Sequence, residues 1–390
     1  MKCPRARPPI GREAALILSV GLLAACQSHA NTGSAPPARA AAAVAVSTPP
    51  AAPAAAAPAL VMSNTSAAEA KADEPFYYVG ADISWIQQRE ASGTRYSENG
   101  VRKDIVAILK EHGFNTIRLR VFNDPTKANG GNARAYSAQG YCDLPHTIVM
   151  ANRVKAAGMH LLIDFHFSDG WADPGKQFAP AAWAKMTPDQ ALGALHDWTK
   201  DAVTQLKNAG AEPDMVQVGN EITPGMMTDL GGTTRNWPVL GSFLKAGISA
   251  VREVDPKIQV MLHIDRGGDN RGARAWVDGA LAQGVEFDVL GLSCYSKWQG
   301  TPAGWKANFE DLAARYPKLK FVMAEVDAQA VEANDIMKGL PHGQGLGTFI
   351  WEPESSNANQ QLFDNRGAVL PDRMAGYDKV VEKYGMKLVP

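Results

Sequence analysis

The stretch MVQVGNEI at residues 215–222 starts with apolar and β-branched residues and ends with an amide and a carboxylate side chain. A short apolar run of this kind is typical of a parallel β-strand that is buried on both faces. Seven other stretches follow the same pattern, and they are YYVGADIS (77–84), TIRLRVF (116–122), HLLIDFHF (160–167), QVMLHID (259–265), VLGLSCYS (289–296), KFVMAEV (320–326) and TFIWEP (348–353). Together they predict eight buried strands.

Amphipathic segments lie between these strands, among them VRKDIVAILKEHG (101–113) and ALHDWTKDAVTQLKNAG (194–210). Several of them end at a glycine just after the last apolar position, which is the usual stop signal of a helix. Eight strand–helix units in succession predict an α/β fold, a single (β/α)8 TIM barrel. A doubly wound open sheet is the alternative, but it usually has fewer strands, and no GxGxxG motif follows the first strand.

Polar side chains cluster at the ends of the predicted strands. In a (β/α)8 barrel, the active site lies at the carboxyl ends of the strands, so these residues are candidates for a shared site. They are Asp82, Ser84, Arg118, Arg120, Asp164, His166, Asn220, Glu221, His263, Asp265, Tyr295, Glu325, Trp351 and Glu352.

Two of these candidates, Glu221 and Glu325, end the fourth and the seventh strand. A glycosidase needs two carboxyl groups, one protonated to donate to the leaving oxygen and one ionised, and a separation of about 5 Å gives a retaining mechanism. Asn220, which precedes Glu221, can hydrogen-bond the sugar 2-hydroxyl, a contact that strengthens in the transition state. The pattern predicts a retaining glycoside hydrolase.

Seven motifs carry a more specific resemblance. They are GADIS (80–84), GFNTIRLRVFNDP (113–125), DFHFSDGWADPGKQ (164–177), VQVGNEITPG (216–225), HIDRGG (263–268), DVLGLSCYSKW (288–298) and FIWEP (349–353). The chain resembles glycoside hydrolase family 53, the endo-β-1,4-galactanases of the large retaining barrel clan, over residues 76–372, including LFDNRGAVLP (362–371).

The resemblance implies roles for the residues at the matching positions. Glu221 would be the acid/base and Glu325 the nucleophile, and Tyr295 would hydrogen-bond the nucleophile. Arg118 would orient Glu325 and keep it ionised, while the pKa of Glu221 is raised toward neutral pH. Asp82, Arg120, Asp164 and His263 would bind substrate or support the site.

The resemblance also implies the sugar contacts. His166 would contact the sugar in the cleavage subsite, Trp351 would form a flat platform under that sugar, and Trp298 would form another wall of the cleft. The two tryptophans in the predicted loop after the third strand, Trp171 and Trp183, are compatible both with cleft walls and with packing inside that loop.

The chain departs from the family pattern in three substitutions and in the length of one segment. Phe167 stands where the family usually has tyrosine, Cys294 to Ser296 stand near a Tyr-Pro-like pair of the family, and Val326-Asp327 replaces threonine and alanine after the nucleophile. Only 26 positions separate Glu325 from Trp351, where the family normally has a longer loop, so we expect a more open cleft on that side. No metal or cofactor is expected, because the histidine spacings match no common ligand motif and no Asp/Asn cluster could rebuild a calcium site.

The resemblance implies endo-hydrolysis of β-1,4-galactosidic bonds in galactan or arabinogalactan type I side chains of pectin. Two alternatives remain open from the sequence. The first is an endo-β-1,4-glycanase of the same clan that acts on a glucan or a mannan. The second is a non-catalytic carbohydrate-binding lipoprotein.

The first 73 residues differ in composition from the rest of the chain. A basic start, an apolar run and the sequence Leu23-Ala24-Ala25-Cys26 resemble a bacterial lipoprotein signal, which predicts cleavage after residue 25 and lipidation of Cys26. In the stretch 31–60, 20 of 30 residues are Ala or Pro, so residues 26–73 are predicted to be a disordered tether. Residues 74–390 would be the catalytic domain, exported and anchored at the periplasmic face of the outer membrane or at the cell surface.

Charge and cysteine content add two expectations. The formal net charge is −1, and no basic cluster indicates nucleic-acid binding, which suits a neutral polysaccharide substrate. A monomeric protein is expected. Cys142 and Cys294 could pair in an exported protein, but the strand assignment places them on opposite sides of the barrel. We therefore expect two free thiols.

Overall fold

A computed structural model describes residues 75–128 and 134–386, and these residues form a closed barrel of parallel strands. The barrel strands are Tyr78–Asp82 (β1), Thr116–Phe122 (β2), His160–His166 (β3), Met215–Val218 (β4), Gln259–Ile264 (β5), Val289–Cys294 (β6), Lys320–Val326 (β7) and Gly345–Trp351 (β8). Each strand pairs with its neighbours in chain order, and β8 pairs with β1 to close the ring. The (β/α)8 prediction is confirmed.

Helices follow the strands and surround the barrel. They are Ile86–Ala91 (α1), Ile105–Glu111 (α2), Leu144–Ala156 (α3), Pro188–Asn208 (α4), Trp237–Val254 (α5), Asn270–Ala282 (α6), Pro302–Arg315 (α7), Ala330–Lys338 (α8) and Pro371–Tyr384 (α9), with short 3₁₀ turns at Thr228–Leu230 and Pro341–Gly343. The start of α4 is fixed by a capping box, in which Thr187 and Gln190 satisfy each other's backbone N–H groups.

Two apolar layers hold the fold together. The larger layer packs the outward faces of the strands against the helices, and a smaller cluster that includes Tyr78, Met261, Val322 and Phe349 fills the interior of the barrel below the site. Gly80 makes room for this interior cluster, because a Cβ atom at residue 80 would lie 2.1 Å from the Phe349 ring. The barrel is therefore a packed core with a site above it.

A β-bulge in β7 turns Glu325 toward the interior. Val322 and Ala324 both belong to the interior cluster, so strict alternation would point Glu325 toward the helices. The pairing of β6 with β7 shifts between Leu292 and Ser293, where Ala324 is left as the extra residue and Ser293 pairs with Glu325. The bulge re-aims the carboxylate, as bulges beside active sites often do.

The backbone after β4 also bends sharply. The φ angle is +87° at Gly219 and +45° at Glu221, and a left-handed conformation is unusual for a glutamate. His263 on β5 supports this bend: its carbonyl oxygen accepts from the N–H of Ile222, and its ring nitrogen Nδ1 accepts from the N–H of Glu221. The strained backbone conformation is thus that of Glu221, the residue that faces the site.

The predicted strand boundaries are close but not identical to the observed ones. The stretch 116–122 and the stretch 320–326 match β2 and β7, whereas β4 ends at Val218, so Glu221 lies in the loop beyond the strand and not within it. Strand β8 starts three residues earlier than predicted, at Gly345. A short hairpin at Ser97–Glu98 and Val101–Arg102 was not predicted, since strands of two residues leave no periodic pattern.

The predicted signal segment 1–25 and the tether 26–73, including Cys26, lie outside the described residues. Within the described part of the chain, no helix is both long and apolar enough to cross a membrane.

Candidate active site

A cleft with a volume of about 590 Å³ opens at the carboxyl ends of the strands. Eleven of the residues expected at the site line it, and they are Asp82, Arg118, Arg120, His166, Asn220, Glu221, Asp265, Tyr295, Trp298, Glu325 and Trp351. Four other candidates, Asp164, His263, Ser84 and Glu352, do not line the cleft. Asp164 and His263 support it from behind. Both are completely buried and contact the lining residues from behind, so their place in the structure is a supporting one.

Glu325 is held by two neighbours through different oxygen atoms. Nη1 of Arg118 lies 3.0 Å from Oε1 of Glu325, and the hydroxyl group of Tyr295 donates to Oε2 over 2.7 Å. All three side chains are buried, so these contacts act in a medium of low dielectric constant, where they are stronger than in water.

Arg118 is the centre of a buried polar network. Its guanidinium group donates to Asp82 over 2.9 Å, to Asp164 over 2.8 Å and to Asn220 over 2.8 Å, in addition to its contact with Glu325. A side chain that is 1% exposed and surrounded by three carboxylates stays protonated, because these negative charges raise its pKa against the effect of burial. The network fixes the position of the charge beside Glu325.

Glu221 is held by Ser293, which was not expected at the site, and His263 lies behind Ser293. The Ser293 hydroxyl donates to Oε1 of Glu221 over 2.6 Å, and Nε2 of His263 lies 2.9 Å from the same hydroxyl oxygen. Ser293 lies on β6 two positions before Tyr295, which directly follows the strand, so the alternation of the strand places both on the same face; this is the signal that could have revealed Ser293.

The two carboxyl groups differ in their tendency to hold a proton. Burial raises the pKa of Glu221 well above its usual range, and the negative charge of Glu325 raises it further. Burial also raises the pKa of Glu325, but Arg118 and the Tyr295 hydrogen bond oppose that rise. For Glu325, burial outweighs these two contacts, so its pKa still rises, but less than that of Glu221. The difference between the two groups favours a proton on Glu221 and a charge on Glu325.

His166 and Asn220 are both tied to the loop after β3. The ring of His166 accepts at Nδ1 from the N–H of Ala172 over 3.1 Å, and its Nε2 lies 2.9 Å from Asp164. The Asn220 amide donates to the carbonyl oxygen of Ala172 over 2.9 Å. Both ring nitrogens of His166 already have hydrogen-bond partners within the protein. Its predicted contact with the sugar would therefore be made by the C–H edge of the ring.

Aromatic residues form one wall of the cleft. Trp351 and Trp171 line it together, with ring centroids 6.0 Å apart, and the guanidinium group of Arg120 lies 4.2 Å from the Trp171 ring. Trp183 is buried and packs edge-on against Trp198 of α4, so it packs the loop against this helix. Trp171 is therefore a cleft residue, whereas Trp183 is not.

A second pair of buried carboxyl groups follows β8. Nη1 of Arg120 lies 2.6 Å from Oε1 of Glu352, and burial raises the pKa of Glu352 to about 7. Burial and the charge of Glu352 raise the pKa of Glu354 well above its usual range, which favours its neutral form. Glu354 was not predicted as a site residue, because the sequence does not show whether a carboxylate that follows a strand is buried.

Two further expectations concern metals and thiols. Within residues 75–128 and 134–386, no group of three or more His, Cys, Asp or Glu side chains is arranged to hold a metal ion. Cys142 and Cys294 are both buried, and both are free thiols, as expected from their positions in the barrel.

Comparison with known proteins identifies the family. The sequence profile described as Glycosyl hydrolase family 53 matches residues 78–337. An endo-beta-1,4-galactanase of Bacillus subtilis is 33% identical over 310 residues, which are 71% of this chain and 70% of that protein. An uncharacterized protein of Niallia circulans is 38% identical over 320 residues, 72% of this chain and 84% of that protein.

A solved structure agrees with the sequence comparison. The family 53 catalytic domain of Ignisphaera aggregans superposes with a TM-score of 0.67 at 32% identity, and the match covers 79% of this chain and 97% of that domain. The closed barrel, the cleft with its two glutamates and the profile match lead to the same assignment. The chain belongs to glycosyl hydrolase family 53.

Proposed function

We propose that this protein is a retaining endo-β-1,4-galactanase that cleaves galactan or arabinogalactan type I side chains of pectin. The observation that carries the proposal is the unequal pair of buried carboxyl groups. Glu221 favours its proton, whereas Glu325 accepts from Arg118 and Tyr295. Similarity to the endo-beta-1,4-galactanase of Bacillus subtilis supports galactan as the polymer.

The proposed reaction has two steps. Glu325 attacks the anomeric carbon while Glu221 transfers its proton to the leaving oxygen, which forms a glycosyl-enzyme ester and releases the aglycone. Glu221 then removes a proton from water, the water oxygen attacks the same carbon, and the ester bond to Glu325 breaks. Ser293 bonds to one oxygen of Glu221, so Oε2 is the atom that delivers the proton.

Two measurements test the proposal. Purified protein is incubated with β-1,4-galactan, mannan and β-glucan, and reducing ends are counted; activity on mannan or glucan without activity on galactan would refute the substrate. Proton NMR of the first-formed product from galactan should show the β-anomer, and an α-anomer would refute retention. A non-catalytic binding protein would release no reducing ends from any polymer.

We also propose that lipidation of Cys26 anchors the protein to a membrane and that the Ala/Pro-rich stretch separates the barrel from its surface. Labelling of expressing cells with an alkyne fatty acid should mark the protein, and Cys26→Ala should lose the label and move the protein to the soluble fraction. An unlabelled wild-type protein would refute the anchor without affecting the proposed activity.

A further inference from the structure

The two glutamates divide the cleft into two sides. In the ring of strands, β5 and β6 lie between β4, which precedes Glu221, and β7, which carries Glu325. The other side is formed by β8, β1, β2 and β3, and it presents Trp351 and Trp171. The side of β5 and β6 presents Trp298, from the loop after β6.

Tyr295 lies between an indole ring from each side. Its ring centroid is 5.5 Å from that of Trp298, at an interplanar angle of 88°, and 6.3 Å from that of Trp351, at 83°. Since the Tyr295 hydroxyl contacts Glu325, the two indoles flank the carboxylate that attacks the sugar. If Trp351 carries the sugar that is bound covalently, Trp298 lies where the leaving sugar must be.

Trp298 is 63% exposed, although it lines the cleft. An indole ring held in water at the edge of a polysaccharide cleft offers an apolar face to the C–H groups of a sugar. Among the described residues, Tyr295 packs edge-on against Trp298 and Nζ of Lys297 lies 4.8 Å from its ring centroid, and most of the indole surface stays exposed.

The loop that carries Trp298 is held by the segment after the nucleophile. Asp327, which is 5% exposed, accepts from the backbone N–H of Ser296 over 2.9 Å. Gln329 donates to the Ser296 hydroxyl over 2.5 Å. The same segment is tied to the loop after β8, because Ala328 donates its N–H to the carbonyl oxygen of Asn359 over 2.8 Å.

We propose that Trp298 is the platform for the sugar on the leaving-group side and that Asp327 is the positioning residue that holds this platform in place. The inference rests on the proposed function. Asp327 lies in the shortened segment between Glu325 and Trp351. Through its hydrogen bond to the Ser296 N–H, this segment holds the loop after β6, which forms one wall of the cleft. Without its carboxylate, the Ser296 N–H loses its acceptor, and the loop no longer presents the indole at a fixed angle.

Two substrates distinguish the effect of a substitution on binding of the leaving sugar from its other effects on activity. In β-1,4-galactan, the leaving group is a sugar that contacts Trp298, whereas in β-galactobiosyl fluoride it is a fluoride ion that does not. For Trp298→Ala and for Asp327→Ala, we expect kcat/KM on galactan to fall about tenfold more than kcat/KM on the fluoride, the size expected for one aromatic contact. Asp327→Asn keeps an acceptor oxygen and should recover most of the loss.

The control is Glu332→Ala, which removes an exposed carboxylate from α8, a few residues along the same segment. Equal losses on galactan and on the fluoride would overturn the inference, because they would indicate a general effect on the site or on folding. If wild-type protein is inactive on galactan, the proposed substrate is refuted. The same comparison, made with the polymer that it does hydrolyse and the matching glycobiosyl fluoride, then decides the inference.

Discussion

The Ser293 hydroxyl donates a 2.6 Å hydrogen bond to Oε1 of Glu221, and this contact connects the acid to the buried ring of His263 behind it. Burial lowers the pKa of His263 well below its usual range, so the ring is neutral. Because the His263 ring carries no charge, the pKa of Glu221 is raised by its own burial and by the negative charge of Glu325.

Removal of this hydrogen bond should shift the pH dependence of the enzyme. The bond stabilises the ionised form of Glu221 and so lowers its pKa, which means that Ser293→Ala raises it further. Since Glu221 must be protonated to act as an acid, the alkaline limb of the kcat/KM profile should move to higher pH. The measurement is the pH–rate profile of wild-type protein and Ser293→Ala on galactan. An alkaline limb that moves to lower pH would contradict the assignment.

An external nucleophile should restore turnover when Glu325 is removed, and the anomeric configuration of the product should then be inverted. Glu325→Gly should reduce kcat/KM by at least about 10⁴-fold, because the covalent step is lost. Sodium azide can attack the vacant position when the donor is β-galactobiosyl fluoride, and the product should then be the α-glycosyl azide. For Glu221→Gly, azide should attack the glycosyl-enzyme and give the β-azide.

Mass spectrometry detects the two azides, and NMR assigns their anomers. The same anomer from both variants, or the reverse assignment, would contradict the roles given to Glu221 and Glu325.

The sequence predicted the barrel and the two glutamates but not how they are aimed. The strands could be recognised because a parallel strand buried on both faces gives a continuous apolar run, as in 320–326. The bulge at Ala324 leaves no trace in such a run, so the inward turn of Glu325 depends on pairing with Ser293, a contact between different strands. The bend at Glu221 likewise depends on support from His263, a residue more than 40 positions away.

Contacts that depend on a single polar atom could also not be predicted from the sequence. Ser293 is an ordinary serine in an apolar strand, and only the barrel geometry brings it to Glu221. The role of Asp327 was hidden for the same reason, because its partner Ser296 lies on another loop. Periodicity shows which face of a strand is buried, but it does not show which side chains of different strands meet.

Filling the space at Gly80 should destabilise the barrel interior. A Cβ atom there would lie 2.1 Å from the Phe349 ring, so Gly80→Ala is expected to lower the free energy of unfolding by about 2 kcal/mol. Gly193→Ala is the matched control, because Gly193 lies in helix α4 and a Cβ atom there would meet nothing within 4 Å. The control should be neutral or stabilising by about 0.5 kcal/mol.

Urea unfolding measures both values. The double variant Gly80→Ala/Phe349→Leu should recover part of the loss, since the smaller side chain leaves room for the new methyl group. Equal stability of Gly80→Ala and wild-type protein would contradict the packing described for the barrel interior.

A half-buried ion-pair cluster at the start of β3 and β4 should make stability depend on acid pH. Asp214 accepts from Lys155 over 2.6 Å and from the backbone N–H of Leu161 over 2.8 Å, and it lies 3.0 Å from His160. Although burial opposes the shift, these partners lower the pKa of Asp214 to about 2. A lowered pKa means that the stabilisation is complete above the unfolded-state value of about 4 and is lost as the pH falls toward 2.

For this reason, Asp214→Asn should cost about 2 kcal/mol of unfolding free energy at pH 7, and the difference from wild-type protein should shrink as the pH falls from about 4 to 2. The control is Asp201→Asn, because Asp201 is an exposed carboxylate on the outer surface of α4. Urea unfolding at pH 7, 4 and 3 tests the prediction. If the difference between Asp214→Asn and wild-type protein were the same at all three pH values, the lost stability would come from packing or from the Leu161 hydrogen bond, and the lowered pKa of Asp214 would not contribute.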